Sequence, residues 1–187
     1  AERHGEDCVL VVMAADHLIR DERAFIASTE HAQRLACDGY LVTYGIPPSA
    51  PETGFGYIER GTPLDDQGAC AVARFVEKPE LLRAQEYVSS GKYLWNSGMF
   101  IWKASVIIKE FETHMPELYE KLNAIHDKLC TPEEAAYIAE VYPTLQSTSI
   151  DYGIVEKTSG VCVIPAEFGW NDVGSWDSMS EVFPTDE

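Results

Sequence analysis

Cys8-Val9-Leu10-Val11-Val12-Met13-Ala14 is the stretch that decides the fold class. It is a nearly unbroken apolar run rich in valine, and it reads as a strand buried on both faces, as in a parallel sheet. The run ends in Ala15-Asp16-His17, which puts polar side chains at the carboxyl end of the strand. Asp21 is placed to cap a helix running to about Asp38, with Gly39 just past its end. Phe25, Ile26, Thr29, Ala32 and Ala36 recur with the period of one helix face. Tyr40 to Tyr44 reads as a second apolar strand. Strand, helix and strand over residues 8–44 make a βαβ unit.

Further along, Ile46 to Thr53 holds three prolines and reads as a loop. Gly54 to Glu59 reads as a strand, Arg60 to Gly68 as a polar turn, and Ala69 to Glu77 as the hairpin partner. Pro79 to Val88 is helical, and Leu94 to Trp102 holds another strand. Ala104 to His114 and Pro116 to about Leu129 form two helices, the second with proline in its first turn. Thr131-Pro132-Glu133-Glu134 has the form of a capping box with proline at the first helical position, opening a third helix. A short helix follows Ser149, Val161 to Ile164 is a strand, and Ser175 caps a last short helix. The fold class expected is α/β, a Rossmann-like mixed sheet flanked by helices.

The 187 residues carry 14 Lys and Arg against 31 Asp and Glu, a net charge of −17. Nucleic-acid binders draw affinity from neutralised phosphates, and no run of Lys or Arg exists here, so nucleic acid is not an expected partner. Hydrophobic residues make up 45%, which excludes a disordered chain. No apolar run is long enough to span a bilayer, and the charged N-terminus is no signal peptide, so a cytoplasmic protein without a membrane partner is expected. Cys8, Cys37, Cys70, Cys130 and Cys162 are odd in number, widely spread and without a Cys-x-x-Cys pair. They read as reduced cysteines. His17, His31, His114 and His126 show no metal-ligand spacing. No glycine-rich phosphate loop follows the first strand. Either the chain binds no nucleotide, or the nucleotide-binding part lies upstream of residue 1.

Six short constellations could carry chemistry. Asp16 ends an apolar strand, where open α/β sheets place ligands and where a carboxylate can hold Mg²⁺; a loop or capping aspartate satisfies the same position. Asp172, in Gly169-Trp170-Asn171-Asp172-Val173-Gly174, could supply a second metal carboxylate or close an Asx-turn. Glu77-Lys78-Pro79 sets a carboxylate beside an ammonium at a strand end, suited to sugar hydroxyls and a phosphate, or merely an exposed ion pair. Asn96, between Trp95 and Gly98, offers both donor and acceptor to a sugar hydroxyl, or is a turn asparagine. Gly54 and Gly56 let a ligand approach the backbone, or mark a bulge. Lys157 could be a second phosphate contact or a surface lysine.

In their order these segments resemble a known family. Ala15-Asp16-His17-Leu18-Ile19, then PETGFGYIE (51–59), FVEKP (75–79), LWNSGMF (94–100), SIDYGIVEK (149–157) and GWNDVGSW (169–176) are similar to mannose-1-phosphate guanylyltransferases, within the sugar-phosphate nucleotidyltransferases. The resemblance spans residue 8 to about 182. It implies transfer of a guanylyl group from GTP to mannose 1-phosphate, giving GDP-mannose and pyrophosphate, with Mg²⁺ offsetting phosphate charge. It implies Asp16 and Asp172 as metal carboxylates and as catalytic groups with Lys78. Glu77 would hold sugar hydroxyls, Lys78 the sugar phosphate and Asn96 the sugar ring. Gly56 would offer backbone contact, and Lys157 a further phosphate contact. No covalent intermediate is needed.

The partners implied are mannose 1-phosphate and GTP or GDP-mannose, with a homodimer one assembly open to it. Alternatives are a non-catalytic regulatory subunit of the same fold, or a nucleotidyltransferase for another sugar 1-phosphate. Two departures stand out. Ala14 occupies a position where the family usually has proline. The family's opening strand and glycine-rich nucleotide loop have no counterpart here. Residues 1–187 are thus expected to be the sugar-phosphate and metal portion of one catalytic domain, incomplete at its N-terminal side and inactive alone. A sheet without its first strands should leave an uncovered apolar edge.

Overall fold

Asp21 caps the first long helix as its sequence predicts. Its side chain accepts a hydrogen bond from the Ala24 amide at 2.9 Å, and α1 runs Glu22–Cys37 before Gly39 takes φ +97°. The computed structural model describes residues 7–174. The capping role expected of Ser175 lies outside them. Eight strands are present among the described residues: β1 Val9–Val12, β2 Leu18–Ile19, β3 Leu41–Ile46, β4 Tyr57–Pro63, β5 Cys70–Val76, β6 Tyr93–Lys103, β7 Val161–Pro165 and β8 Trp170–Asn171. The remaining helices are α2 Leu81–Ser90, α3 Ala104–His114, α4 Pro116–His126 and α5 Glu134–Val141. A 3₁₀ turn covers Tyr142–Thr144, and a π-helical turn covers Asp151–Val155.

Six strands form one mixed sheet in the order β1-β6-β3-β7-β5-β4. Its one parallel pairing is β3 with β7; the others are antiparallel. β4 also pairs with β6, so β6, β3, β7, β5 and β4 close into a ring of pairings. β2 and β8 make a separate two-stranded ribbon. The property expected of residues 8–14 belongs to β3 and β7. Leu41 and Val161 pack toward Trp102, Ile107 and Ile154 on one face, while Val42, Tyr44, Cys162 and Ile164 meet Ala32, Leu35 and Ala36 of α1 on the other. Burying each such large side chain contributes about 1.5–3 kcal/mol.

β1 itself corrects the reading of its sequence. It is an edge strand, antiparallel to β6, and Leu10, Val11, Val12 and Met13 are 39%, 38%, 44% and 50% exposed. β6 lies between β1 and β3, so the βαβ unit brackets an antiparallel strand. An apolar pattern specifies a strand that can be buried; which faces are covered depends on what packs there.

Two boundaries moved for cross-strand reasons. β4 continues through the polar residues Arg60 to Pro63 because they stay paired with Val72 and Cys70. The shortened turn is held by Asp65, whose Oδ1 accepts from the Gln67 and Ala69 amides and whose Oδ2 lies 2.6 Å from His31 Nε2 of α1. At Thr131-Pro132-Glu133-Glu134 the reciprocal capping-box bonds are replaced by a pair offset by one residue: Glu133 N donates to Thr131 Oγ1 and Cys130 N donates to Glu134 Oε2. They close a turn ahead of α5 rather than its first helical turn, so Pro132 precedes the helix. No helix among the described residues is long and apolar enough to cross a membrane, and all five cysteines are free.

The exposed β1 edge is expected to be adhesive. Light scattering on the 187-residue chain at rising concentration should show dimers or larger species, and Val11→Lys should suppress them by placing charge on the edge. A wild-type chain that stays monomeric at high concentration would count against it.

Candidate active site

The backbone of β6 kinks where the site lies. Against β3, Thr43 stands opposite Phe100 but Gly45 stands opposite Asn96, so Ser97, Gly98 and Met99 bulge out of register. Gly98 takes φ +69°, a left-handed conformation that glycine adopts without steric cost. Asn96 enters the bulge 8% exposed. Thr43 Oγ1 donates to Asn96 Oδ1 at 2.9 Å, and Asn96 Nδ2 donates to Asp151 Oδ1 at 3.1 Å. Asn96 N donates to Gly56 O at 2.8 Å, which brings the end of the proline-rich loop onto the same spot.

Glu77 completes this group. A Cβ added to Gly56 would lie 2.4 Å from Glu77 Oε2 and 3.4 Å from Asn96 Cβ, so glycine is what lets the carboxylate sit there. Glu77 Oε2 is buried and finds no hydrogen-bond donor among the described residues. The Glu77 amide donates to Glu156 Oε1 at 3.2 Å, and Lys78 Nζ lies 3.9 Å from Glu77 Oε1. Lys78 has φ +46° immediately before Pro79, a strained conformation for a side-chain-bearing residue in that position. Burial, the Asp151 charge and the Glu156 charge push Glu77 up to about 7, with Lys78 acting in the opposite sense. Asp151 is also raised, chiefly by burial, while its hydrogen bonds and Lys78 favour the charged form.

The two candidate metal aspartates sit on the β2–β8 ribbon. Its register sets Leu18 opposite Asn171 and Ile19 opposite Trp170. Asp16, two residues before Leu18, and Asp172, next after Asn171, therefore come to the same end of the ribbon. The turn around Asp172 is tight: Val173 N donates to Asn171 Oδ1 at 2.7 Å, Gly174 N donates to Asp172 Oδ1, and Val173 has φ +52°. A β-branched residue there is strained. Trp170 Nε1 donates to His17 Nδ1 at 3.1 Å, tying the two ends of the ribbon together. Phe55 contacts Trp170 on one side and Trp95 on the other, with ring centroids 5.6 and 5.1 Å apart, and so bridges the ribbon and the Asn96 group.

Among the described residues no three or more acidic, His or Cys side chains are grouped to hold a metal ion. Two carboxylates at one end of a ribbon nevertheless suit Mg²⁺, which takes one or two carboxylates and fills its remaining positions with water and substrate phosphate. Asp16 and Asp172 are the residues that would hold it.

Gly56, Glu77, Lys78 and Asn96 are thus brought together, and Asp16 and Asp172 come to the same end of the β2–β8 ribbon. Lys157 stands elsewhere. It is exposed and lines a cavity of about 260 Å³ with His114, Glu117, Gln146 and Gly153, next to the start of α4. The residue of that segment that joins Asn96 is Asp151, which sequence reasoning did not single out, as it did not single out Thr43, Glu156 or Phe55. Asp151 and Glu156 both lie in the quoted SIDYGIVEK motif, so the signal was there without a way to choose among its polar residues.

Fold and site together define an α/β protein with the buried Glu77 oxygen and Asn96 amide on one side of an aromatic bridge and two aspartates at one end of a ribbon on the other. The chain belongs to the nucleotidyl transferase family, whose model matches residues 1–187. It is 40% identical over 190 residues to a mannose-1-phosphate guanylyltransferase of Klebsiella pneumoniae, covering 100% of this chain and 40% of that protein. It is 43% identical over 187 residues to the xanthan biosynthesis protein XanB of Xanthomonas campestris, covering 100% of this chain and 39% of that one. The chain therefore spans about two fifths of the length of these relatives. A Thermus thermophilus structure described as a mannose-1-phosphate geranyltransferase superposes with TM-score 0.79 at 35% identity, over 95% of this chain and 50% of that one. A Helicobacter pylori structure described as a mannose-6-phosphate isomerase gives 0.78 at 29%, over 91% and 66%.

Two outcomes follow from the Glu77 environment. Its folded pKa lies above the ordinary 4.5, so the folded chain keeps a proton that the unfolded chain loses. Stability from this group is complete below pH 4.5, falls as pH rises toward 7, and levels off above. Glu77→Gln should remove that slope: its melting temperature relative to wild type should climb between pH 4.5 and 7 and then hold steady. Gly56→Ala should force the carboxylate aside and cost about 1–3 kcal/mol in urea denaturation; an unchanged midpoint would show that the pocket has slack the distances do not suggest.

Proposed function

We propose that this chain supplies the sugar-phosphate and metal side of a site that transfers a guanylyl group from GTP to mannose 1-phosphate. The observation that carries the reading is Glu77 Oε2, a buried acceptor without a donor, set against the bare backbone of Gly56 and beside Asn96 and Asp151. Leaving such a group unpaired costs about 1–3 kcal/mol, and a ligand bringing hydroxyl donors satisfies it. A sugar is such a ligand. Its phosphate finds Lys78 at the same strand end. The relatives named mannose-1-phosphate guanylyltransferase direct the choice to mannose and guanylyl.

In this reading a phosphate oxygen of mannose 1-phosphate attacks the α-phosphorus of GTP. The bond from that phosphorus to the β-phosphate oxygen breaks, and pyrophosphate leaves as GDP-mannose forms. Glu77 and Asn96 hold the sugar hydroxyls, and Lys78 pairs with the sugar phosphate. Asp16 and Asp172 would hold Mg²⁺, which when bound would offset the charge on the phosphates. Orientation and electrostatics carry the rate, so the chain needs no nucleophile of its own.

The test is nucleotidyl transfer by the full-length protein with Mg²⁺ and a panel of sugar 1-phosphates and nucleoside triphosphates. GDP-mannose should form fastest, and Asp172→Asn should lose activity about 100-fold or more with its fold intact by circular dichroism. Absence of GDP-mannose formation would sink the reading, and faster turnover of another sugar would redirect it.

A further inference from the structure

Asn96 can present its amide in two orientations, and which one it takes is decided by its hydrogen-bond partners. Thr43 alone does not decide it. Its Oγ1 lies 2.9 Å from Asn96 Oδ1 and 3.0 Å from the Met99 carbonyl oxygen, and one hydroxyl proton serves one of them at a time. When the proton goes to Met99, the hydroxyl is left as an acceptor, and the opposite amide orientation satisfies it equally well. Asp151 breaks the tie. An ionised carboxylate only accepts, so the group that faces Asp151 Oδ1 across 3.1 Å must be the amide nitrogen.

We propose that Asp151 is the positioning residue of the sugar pocket, locking the Asn96 amide with its nitrogen toward Asp151 and its oxygen toward Thr43. The lock fixes which hydrogen-bonding direction each part of the pocket offers a sugar hydroxyl. It leaves one amide hydrogen and one oxygen lone pair for the ligand. Two sugar 1-phosphates that differ only in the direction of one hydroxyl then meet a pocket of fixed polarity and bind unequally. The identity of the ligand rests on the sugar reading above, whereas the lock rests on the distances around Asn96 and on an ionised Asp151 carboxylate.

The neighbouring charges fit this role. Glu77 faces Asp151 from the end of β5, Glu156 approaches from the end of the π-helical turn, and Lys78 is the ammonium beside them. Asp151 is tied into its own turn, its carboxylate supported by a backbone amide and by Ser149. A carboxylate so held transmits its position to Asn96 rather than following it.

The experiment compares wild type, Asp151→Ala, Asp151→Asn and Thr43→Val in the full-length protein labelled with ¹⁵N at asparagine. Without ligand, the Asn96 side-chain amide pair should exchange slowly with solvent in wild type and about tenfold faster in Asp151→Ala. Asp151→Asn, whose new amide accepts or donates, should give partial protection. With ligand, calorimetry should show that Asp151→Ala loses about tenfold in preference between mannose 1-phosphate and glucose 1-phosphate, with GTP affinity unchanged. Folded Asp151 variants whose Asn96 exchange matches wild type would overturn the lock. So would an altered Asn96 signal with the wild-type preference between the two sugars fully kept. If wild type binds neither sugar phosphate while Asn96 exchange still answers to Asp151, the lock stands and the sugar reading alone falls.

Discussion

The Thr43 hydroxyl reaches both sides of the kink in β6, Asn96 before the bulge and Met99 within it. Thr43 is fully buried in a strand covered on both faces, so this polar contact sits in the centre of the molecule. The rest of the site depends on it. Without the bulge, β6 would run past β3 in register and its alternation would send Asn96 to a different neighbour. With it, β6 turns far enough to pair with β4 at its start and β1 at its end. That turn closes the ring of strands and brings Gly56 against Asn96. A buried hydroxyl is costly unless bonded, and here its partners are the two segments that must be held apart.

Around that centre the charge is unbalanced by the path of the chain rather than by surface composition. Glu77, Asp151 and Glu156 converge, and Lys78 faces them. Part of the −17 net charge is thus concentrated in one place, where it serves as a set of acceptors. Anions are not repelled from the whole molecule by it, because field strength falls off within about 8–10 Å at physiological salt. Asp16 and Asp172 lie apart from these groups, at one end of the β2–β8 ribbon. Phe55, touching Trp95 and Trp170, keeps low-polarity side chains between the two.

The sequence made the helices plain wherever a local signal terminates them. Asp21 and Gly39 bound α1, and Ala104 to His114 was placed to the residue. It also marked two breaks in the strands, since Glu77-Lys78-Pro79 at the end of β5 and Trp95-Asn96-Ser97-Gly98 at the bulge of β6 carry their own backbone breakers. What was not legible depends on contacts between distant residues. The apolar run 9–12 carries no mark of being an edge, because its exposure depends on which distant segments pack over it, and among the described residues it stays partly uncovered. The β2–β8 ribbon has two residues per strand, too few for any periodicity. Asp151 bonds to a residue 55 positions away. Its selection over Lys157 follows from the π-helical turn, where Gly153, Ile154 and Val155 are buried against Met115 and the remaining polar groups are divided between two sides.

Lys78 and Val173, each adjoining a candidate site carboxylate, occupy left-handed backbone that glycine would enter freely. Each holds about 1–3 kcal/mol of conformational energy that the surrounding structure must supply. Glycine at either position would relax that energy and make the chain more robust to heat. It would also loosen the bearing of Glu77 or Asp172 by adding rotational freedom one residue away. Under the proposed reading, the protein trades durability for aim at these two points.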